Sequence, residues 1–418
     1  MTKQGFFALV AAWLGWGFDV FDALLFSYVA KPTFASLAPG MSDAEVNTGI
    51  AILSSLFLVG WATGGILFGR ITDRLGRTRT LLFTMVLYSV ATAACALAPN
   101  VWVLGACRLV ASLGVGGEWA AGASLVSESL PERYRVWGGA LLFTASPFGL
   151  LLANYVNQNI VQGAFAGEPD MGWRVAFAMG LIPAALAFFV RLFVREPEPF
   201  RALGASATAR KRGTLSELFT PALRRRTWTG LWLATVALLL WWSVGVFLPK
   251  LLPEMGASLG YDALAASAFA ATGNDLFNVG GVVGALLTAP LSLYVGRRLT
   301  LGVYFAAGAA LLFFTFTGHH SASAIHQLLF WLGCAIYGIF GVFAFYLPEL
   351  FPTRLRGTGA GFCYNTGRYL AALGPLFTGS VSQGAGLRAA VSYVALFAVL
   401  GLLVLPFAVE TRGQTLEA

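Results

Sequence analysis

The chain has 418 residues, 57% hydrophobic and only 11% charged, against about 25% charged residues in an ordinary soluble domain. A soluble fold this apolar would expose broad greasy patches, and the 49 glycines, which do not recur at every third position, exclude collagen and suit membrane helices that approach closely. A net charge of +8 is compatible in principle with nucleic acid, but its placement along the chain argues for a membrane instead.

Apolar runs long enough to span a bilayer, about 20 residues each, fall at roughly 6–30, 47–70, 79–98, 101–126, 136–161 and 173–194. They resume at 228–252, 270–294, 299–318, 324–348, 358–382 and 388–409. The first run has no small-residue cleavage site behind it and reads as a helix that stays in the protein. The pattern predicts an all-α polytopic membrane protein, with twelve transmembrane helices in two six-helix bundles. The expected division is an N-terminal half over 1–195, a cytoplasmic linker over 196–227 and a C-terminal half over 228–418. Twenty-one of the 27 basic residues fall on one side of these spans, including Arg210, Lys211 and Arg212 of the linker. That bias places both termini in the cytoplasm of a bacterial-type inner membrane. It also accounts for the net charge, which faces anionic membrane lipid and calls for no nucleic acid.

Cys95, Cys107, Cys334 and Cys363 all sit in apolar runs without CxxC spacing, so no disulfide framework is expected. His319, His320 and His326 have no ligating cysteine nearby, and neither a metal nor a cofactor is expected. Nothing in the sequence demands a partner subunit, so the chain is expected to act as a monomer.

The halves echo each other. Glu128-Ser-Leu-Pro-Glu-Arg-Tyr-Arg135 matches Glu349-Leu-Phe-Pro-Thr-Arg-Leu-Arg356 at Glu128/Glu349, Pro131/Pro352, Arg133/Arg354 and Arg135/Arg356, each pair 221 residues apart. Gly76-Arg77 likewise matches Gly296-Arg297, 220 residues apart. The glutamates and arginines at these loop edges, Glu128, Arg133, Glu349 and Arg354 among them, point to interhelix ion pairs that hold one conformation and break in another; static anchoring is the rival reading.

The segment Gly69-Arg-Ile-Thr-Asp-Arg-Leu-Gly-Arg77 resembles the loop motif of the major facilitator superfamily, and the resemblance covers nearly the whole chain. It implies a gating role for Gly69, Asp73, Arg74, Gly76 and Arg77. The second copy departs from the motif, with Leu293 where Asp73 would repeat. Three further segments, Trp16–Asp22, Arg108–Trp119 and Glu349–Arg368, resemble the metabolite and proton symporters of that superfamily, in the branch that handles sialate, lactate and related carboxylates. Aromatic acids belong to a neighbouring branch. The resemblance implies uptake of a small organic anion with protons.

Charged residues inside spans are expensive in lipid and mark a cavity or a partner. Asp19 and Asp22 lie three apart on one helical face. Two carboxylates in a low-dielectric cavity repel, which favours a proton on one of them. Asp22, roughly 20–25 Å from the cytoplasmic end, is the preferred carrier. Arg108 has three readings: a pair with a first-span aspartate, contact with substrate, or anchoring. Glu118, among small residues of the fourth span, is a proton-coupling or structural group.

Asn154, Asn157 and Gln158 form a polar stripe in the fifth span, and Asn274, Asp275 and Asn278 another in the eighth; both are read as cavity lining. Trp16, Trp241, Trp242 and Tyr337 are weaker candidates to shape a pocket. Arg368 sits roughly 15 Å into the eleventh span, with Tyr364 and Asn365 on an adjoining face. A guanidinium fork, a phenol and an amide suit a carboxylate; a permanent pair with Asp19, Asp22 or Asp275 is the rival. The reading that joins these residues is proton-coupled anion symport by alternating access between the two halves. A proton-coupled exporter and a carrier of sugars or other neutral metabolites are its alternatives. No cluster of nucleophile, base and metal ligands points to an enzyme.

Overall fold

The computed structural model describes residues 2–205, 214–371, 373–414 and 416, which form helices and connections without a strand. The linker residues Arg210, Lys211 and Arg212 lie outside this set. The first half comprises α1 (Lys3–Leu37), α2 (Asp43–Leu75), α3 (Arg77–Cys95), α4 (Val101–Ser129), α5 (Glu132–Phe143), α6 (Ala145–Val156), α7 (Pro169–Ala178) and α8 (Ile182–Phe193). A short α9 (Glu198–Ala205) begins the linker. The second half comprises α10 (Arg224–Ser258), α11 (Ala263–Val295), α12 (Arg297–Thr317), α13 (Ala322–Glu349), α14 (Arg356–Ala371), α15 (Leu373–Ala385), α16 (Leu387–Tyr393) and α17 (Ala395–Val404).

Among the described residues, ten helices are continuous and apolar enough to cross a membrane, counting α5 with α6 and α16 with α17. The remaining two of the twelve expected spans are composite. The sixth is α7, a short 3₁₀ turn over Met179–Leu181 and α8; Pro183 has no N–H to give to the carbonyl one turn before it, which loosens the helix there. The eleventh is α14 followed by α15. Pro147 acts similarly between α5 and α6, and this span ends in a wide π-helical turn over Asn157–Ala164. Most long helices run beyond their apolar windows because polar caps sit outside them. Ser42 and Glu45 form a reciprocal capping box for α2, and Asp262 and Ser321 accept N-terminal amides of α11 and α13.

The internal repeat is visible in packing. A Cβ on Gly64 of α2 would lie 2.0 Å from the Leu113 carbonyl oxygen of α4, and one on Gly284 of α11 would lie 2.0 Å from the Cys334 carbonyl oxygen of α13. Both helix pairs therefore touch backbone to backbone, which only glycine permits. The α2–α3 and α11–α12 corners repeat as well. Gly76 has φ 110° and Gly296 φ 89°, in a region effectively reserved for glycine. Beyond each corner, a glutamate caps the next helix. Glu196 accepts from the Arg77 and Arg79 amides at 2.8 and 3.1 Å, and Glu410 from the Arg297 and Arg298 amides at 3.0 Å each. Gly76→Ala combines backbone strain of about 1–3 kcal/mol with a Cβ only 2.4 Å from Glu196 Oε1. Its melting temperature in detergent is expected to fall by several degrees, and an unchanged melt would contradict this account of the corner.

The linker docks onto the same end. Phe200 of α9 lies under the Arg77 guanidinium, 4.5 Å from ring to charge. The 3₁₀ turn Leu215–Phe219 is held by Glu217, which pairs with Arg354 and accepts from the Thr214 amide. Burial pushes the Glu217 carboxyl up, but Arg354 and Thr214 outweigh it and hold it below its ordinary value. The folded value is the depressed one, so this docking is complete above the ordinary glutamate range and lost as pH falls through the lowered value, below that range. A fluorophore beside Glu217 should report release in that window and none between pH 6 and 8.

Candidate functional site

Between the halves lies a cavity of about 190 Å³. Its walls come from α1 (Trp16, Val20, Ser27), α2 (Ser54, Phe57, Trp61), α10 (Trp241, Trp242) and α14 (Tyr364, Arg368), with Arg108, Phe143 and Phe340 completing it. Aromatic and aliphatic groups dominate, and among the described residues the two arginines are its only charged lining groups. On the side of the basic loops the floor is a cross-half stack, Trp119 on Tyr364, with centroids 4.1 Å apart and planes 15° from parallel.

Arg368 is 4% exposed. Its Nη1 donates to Asn365 Oδ1 at 2.6 Å, and the guanidinium carbon lies 4.0 Å from the Trp61 ring centroid and 5.2 Å from that of Tyr364. Among the described residues no carboxylate stands at ion-pair distance from it, and its Nε has no hydrogen-bond acceptor. Asp19 is the carboxylate whose field reaches it. Asn365 is fully buried behind the arginine, off the cavity wall, and orients it.

The first-span aspartates are both buried but have separate surroundings. Asp22 faces Arg108 Nη1 at 3.4 Å and accepts from Thr92 Oγ1 at 2.7 Å. Of the three readings of Arg108 this arrangement matches the ion pair, and the side chain also lines the cavity. Among the described residues Asp19 has no hydrogen-bond donor on either oxygen, and it faces Glu118, Asp22 and Arg368. Glu118 accepts from Thr84 Oγ1 at 3.2 Å, and its other oxygen packs against Gly15 with no donor. Of these three carboxylates, Asp19 and Glu118 are the ones without a cation at ion-pair distance among the described residues, rather than the deeper Asp22.

The polar stripes lie elsewhere. Asn157 is buried, and Gln158 donates to Asn154 at 3.2 Å on the outer side of the bundle, away from the cavity wall. Asp275 is exposed, Asn274 caps its own helix turn through the Ala270 carbonyl, and Asn278 accepts from Tyr337 at 3.1 Å. None of these residues lines the cavity, and neither does Tyr337; Trp16, Trp241 and Trp242 do. His326 stacks on Phe269, and among the described residues no group of histidine, cysteine, aspartate and glutamate is placed to hold a metal. Sequence reasoning missed Phe57, Trp61 and Trp119, whose signal was an aromatic i, i+4 pair in α2 and a tryptophan next to Glu118.

On the basic-loop side the halves are joined by a polar lock. Arg77 grips Glu128 with two bonds of 2.9 Å, pairs with Asp73 at 3.3 Å and donates across the halves to the Thr353 carbonyl at 2.6 Å. Arg356 of the second half reaches Glu128 at 2.5 Å. Asp73 accepts the first amides of α14, from Gly357 at 3.0 Å and Thr358 at 2.7 Å, where the helix dipole favours an anion. Gly69 makes this approach possible, since a Cβ on it would lie 2.6 Å from the Gly357 carbonyl oxygen. Arg297 grips Glu349 within the second half at 2.9 and 3.1 Å. Arg74 and Arg133 stay exposed, the latter over the Tyr134 ring, and Arg354 belongs to the linker contact.

The model of the Major Facilitator Superfamily matches residues 6–373. A probable 4-methylmuconolactone transporter of Cupriavidus pinatubonensis is 32% identical, over 97% of this chain and 91% of that protein. A cis,cis-muconate transport protein of Acinetobacter baylyi is 30% identical, over 90% of this chain and 87% of that protein. The solved proton:xylose symporter XylE superposes with a TM-score of 0.79 over 99% of this chain and 98% of that one, at 20% identity, a likeness of fold.

Proposed function

The chain belongs to the Major Facilitator Superfamily, a family of multi-pass membrane transporters, and we propose that it takes up a small organic anion, an aromatic or unsaturated carboxylate, together with protons. The observation that carries this reading is Arg368: a buried guanidinium on the wall of a cavity between the halves, with no carboxylate partner among the described residues and a free Nε. A cation left in that position is stable chiefly when an anion completes it. Asn365 holds the fork, Tyr364 and Trp61 flank it, and the apolar walls take the rest of the molecule.

Asp19 and Glu118 carry the coupling proton, since both are buried and keep oxygens without a donor among the described residues. Protonation of Asp19 removes the negative charge that competes with substrate for Arg368, so anion and proton bind together. One proton per monovalent anion makes the cycle electroneutral. The 1–195 and 228–418 halves rock about the cavity, and the linker 196–227 and both termini lie in the cytoplasm of a bacterial-type inner membrane. The polar lock is closed on that side. The protein works as a monomer with lipid around it.

The test is uptake of labelled lactate, sialate and benzoate-type acids into proteoliposomes, with and without an inward proton gradient. Gradient-stimulated uptake of one acid supports the reading; no uptake of any acid under a verified gradient overturns it. Asp19→Asn is expected to abolish gradient-driven accumulation and to spare exchange of labelled for unlabelled acid. Persisting accumulation would remove Asp19 from the coupling role.

A further inference from the structure

The cavity holds two guanidiniums in matched settings. Phe57 and Trp61 are four residues apart in α2, with ring centroids 5.8 Å apart. Arg108 lies over the Phe57 ring at 4.1 Å and Arg368 over the Trp61 ring at 4.0 Å. The two cations are therefore seated on rings one helical turn apart along α2. Both are buried, at 2% and 4% exposure, both line the cavity, and both keep an Nε with no acceptor among the described residues. They differ in one respect. Asp22 faces Arg108, but only at 3.4 Å from Nη1 to either oxygen, longer than a tight charge-assisted bond of about 2.7–2.9 Å. Val20, Ala23 and Leu58 contribute apolar surface to the same cavity.

We propose that the cavity takes a dicarboxylate with an apolar spine, one carboxylate on Arg368 and the other on Arg108, with Asp22 competing for the second position. The proposal rests on the anion-uptake reading above and narrows its substrate class. A monocarboxylate fills only the Arg368 end and leaves the Arg108–Asp22 pair undisturbed. A dicarboxylate must displace Asp22, so removing that carboxylate's charge favours the diacid selectively. Asparagine at position 22 still accepts the Thr92 hydroxyl, so the local packing is kept.

The experiment compares matched probes, adipate against hexanoate, which differ by one carboxylate on the same carbon chain. Binding is measured by calorimetry on the full chain in lipid nanodiscs. The ratio of adipate to hexanoate affinity is expected to rise about tenfold in Asp22→Asn and to fall about tenfold in Arg108→Gln, the scale of one charge-assisted interaction. Should Arg108→Gln fail to fold, Asp22→Asn decides alone. Hexanoate binding with a ratio unmoved in Asp22→Asn overturns the diacid proposal and leaves the anion-uptake reading standing. If folded wild-type protein binds neither acid, nor any of the acids tested for uptake, the anion-uptake reading itself falls.

Discussion

Arg368→Ala is expected to abolish anion binding, with a loss of at least a hundredfold in affinity. Truncating one partner of a buried, hydrogen-bonded charge pair costs about 2–5 kcal/mol, and each 1.4 kcal/mol is about tenfold. The setting of Arg368 makes the upper part of that range appropriate. The side chain is sealed from bulk water at 4% exposure, is oriented by Asn365 and is clamped between two rings. Arg368→Lys keeps the charge and is expected to recover only a small part of the affinity, because an ammonium lacks the planar fork that two carboxylate oxygens need. Calorimetry with the transported acid checks both variants, and a thermal melt checks that they are folded. An affinity unchanged in folded Arg368→Ala would show that this arginine is a structural residue whose position on the cavity is incidental.

The second large effect is expected at Glu128. Its carboxylate is shared by Arg77 of its own half and Arg356 of the other, at 2.9 and 2.5 Å, with no solvent exposure of the three side chains. Removing one member of a buried ionic group destabilises it by about 3–5 kcal/mol. Part of that loss falls on the closed state alone, because the Arg356 contact exists only while the halves meet on this side. Glu128→Gln is therefore expected to move the population toward a form open at the basic-loop end, and to lower the uptake rate at least tenfold. Spin labels on the exposed side chains Arg79 and Leu299, which begin the equivalent helices α3 and α12, report the separation of the halves. A longer, broader distance distribution in the variant is the expected result. A distribution identical to that of the wild type would mean that packing, and not this charge cluster, holds the side closed.

The architecture was legible in the chain because its signals are local. Apolar runs, the asymmetry of basic loops and the repeat of Glu128–Arg135 in Glu349–Arg356 are all properties of short segments, and they locate spans and halves without knowledge of packing. Span interiors were less legible where proline intervenes, as at Pro183. The residues of the site could be named from their cost in lipid, but their partners could not. Whether Asp19 or Asp22 meets Arg108 depends on a rotation of α1 of about 100° per residue, and the sequence spacing that puts both aspartates on one face does not resolve it. The polar stripe at Asn154, Asn157 and Gln158 has the composition of a cavity wall, yet none of the three lines the cavity. Glu196 and Glu410 escaped notice because each caps a helix more than a hundred residues distant in sequence. Only the fold makes them equivalent.

The lock formed by Asp73, Arg77, Glu128 and Arg356 has one more consequence. It contains two guanidiniums and two carboxylates, so its formal charges cancel. The membrane potential does work on net charge, about 2.3 kcal/mol per elementary charge for each 100 mV crossed, and a group whose charges cancel gives that field no handle beyond a small dipole. Parting these residues is thus an event of nearly the same free energy in a polarised cell and in a depolarised one. Voltage dependence in the turnover of this protein is expected instead from the cargo and from the charged groups that face it, Arg368 and Arg108 as well as the carboxylates.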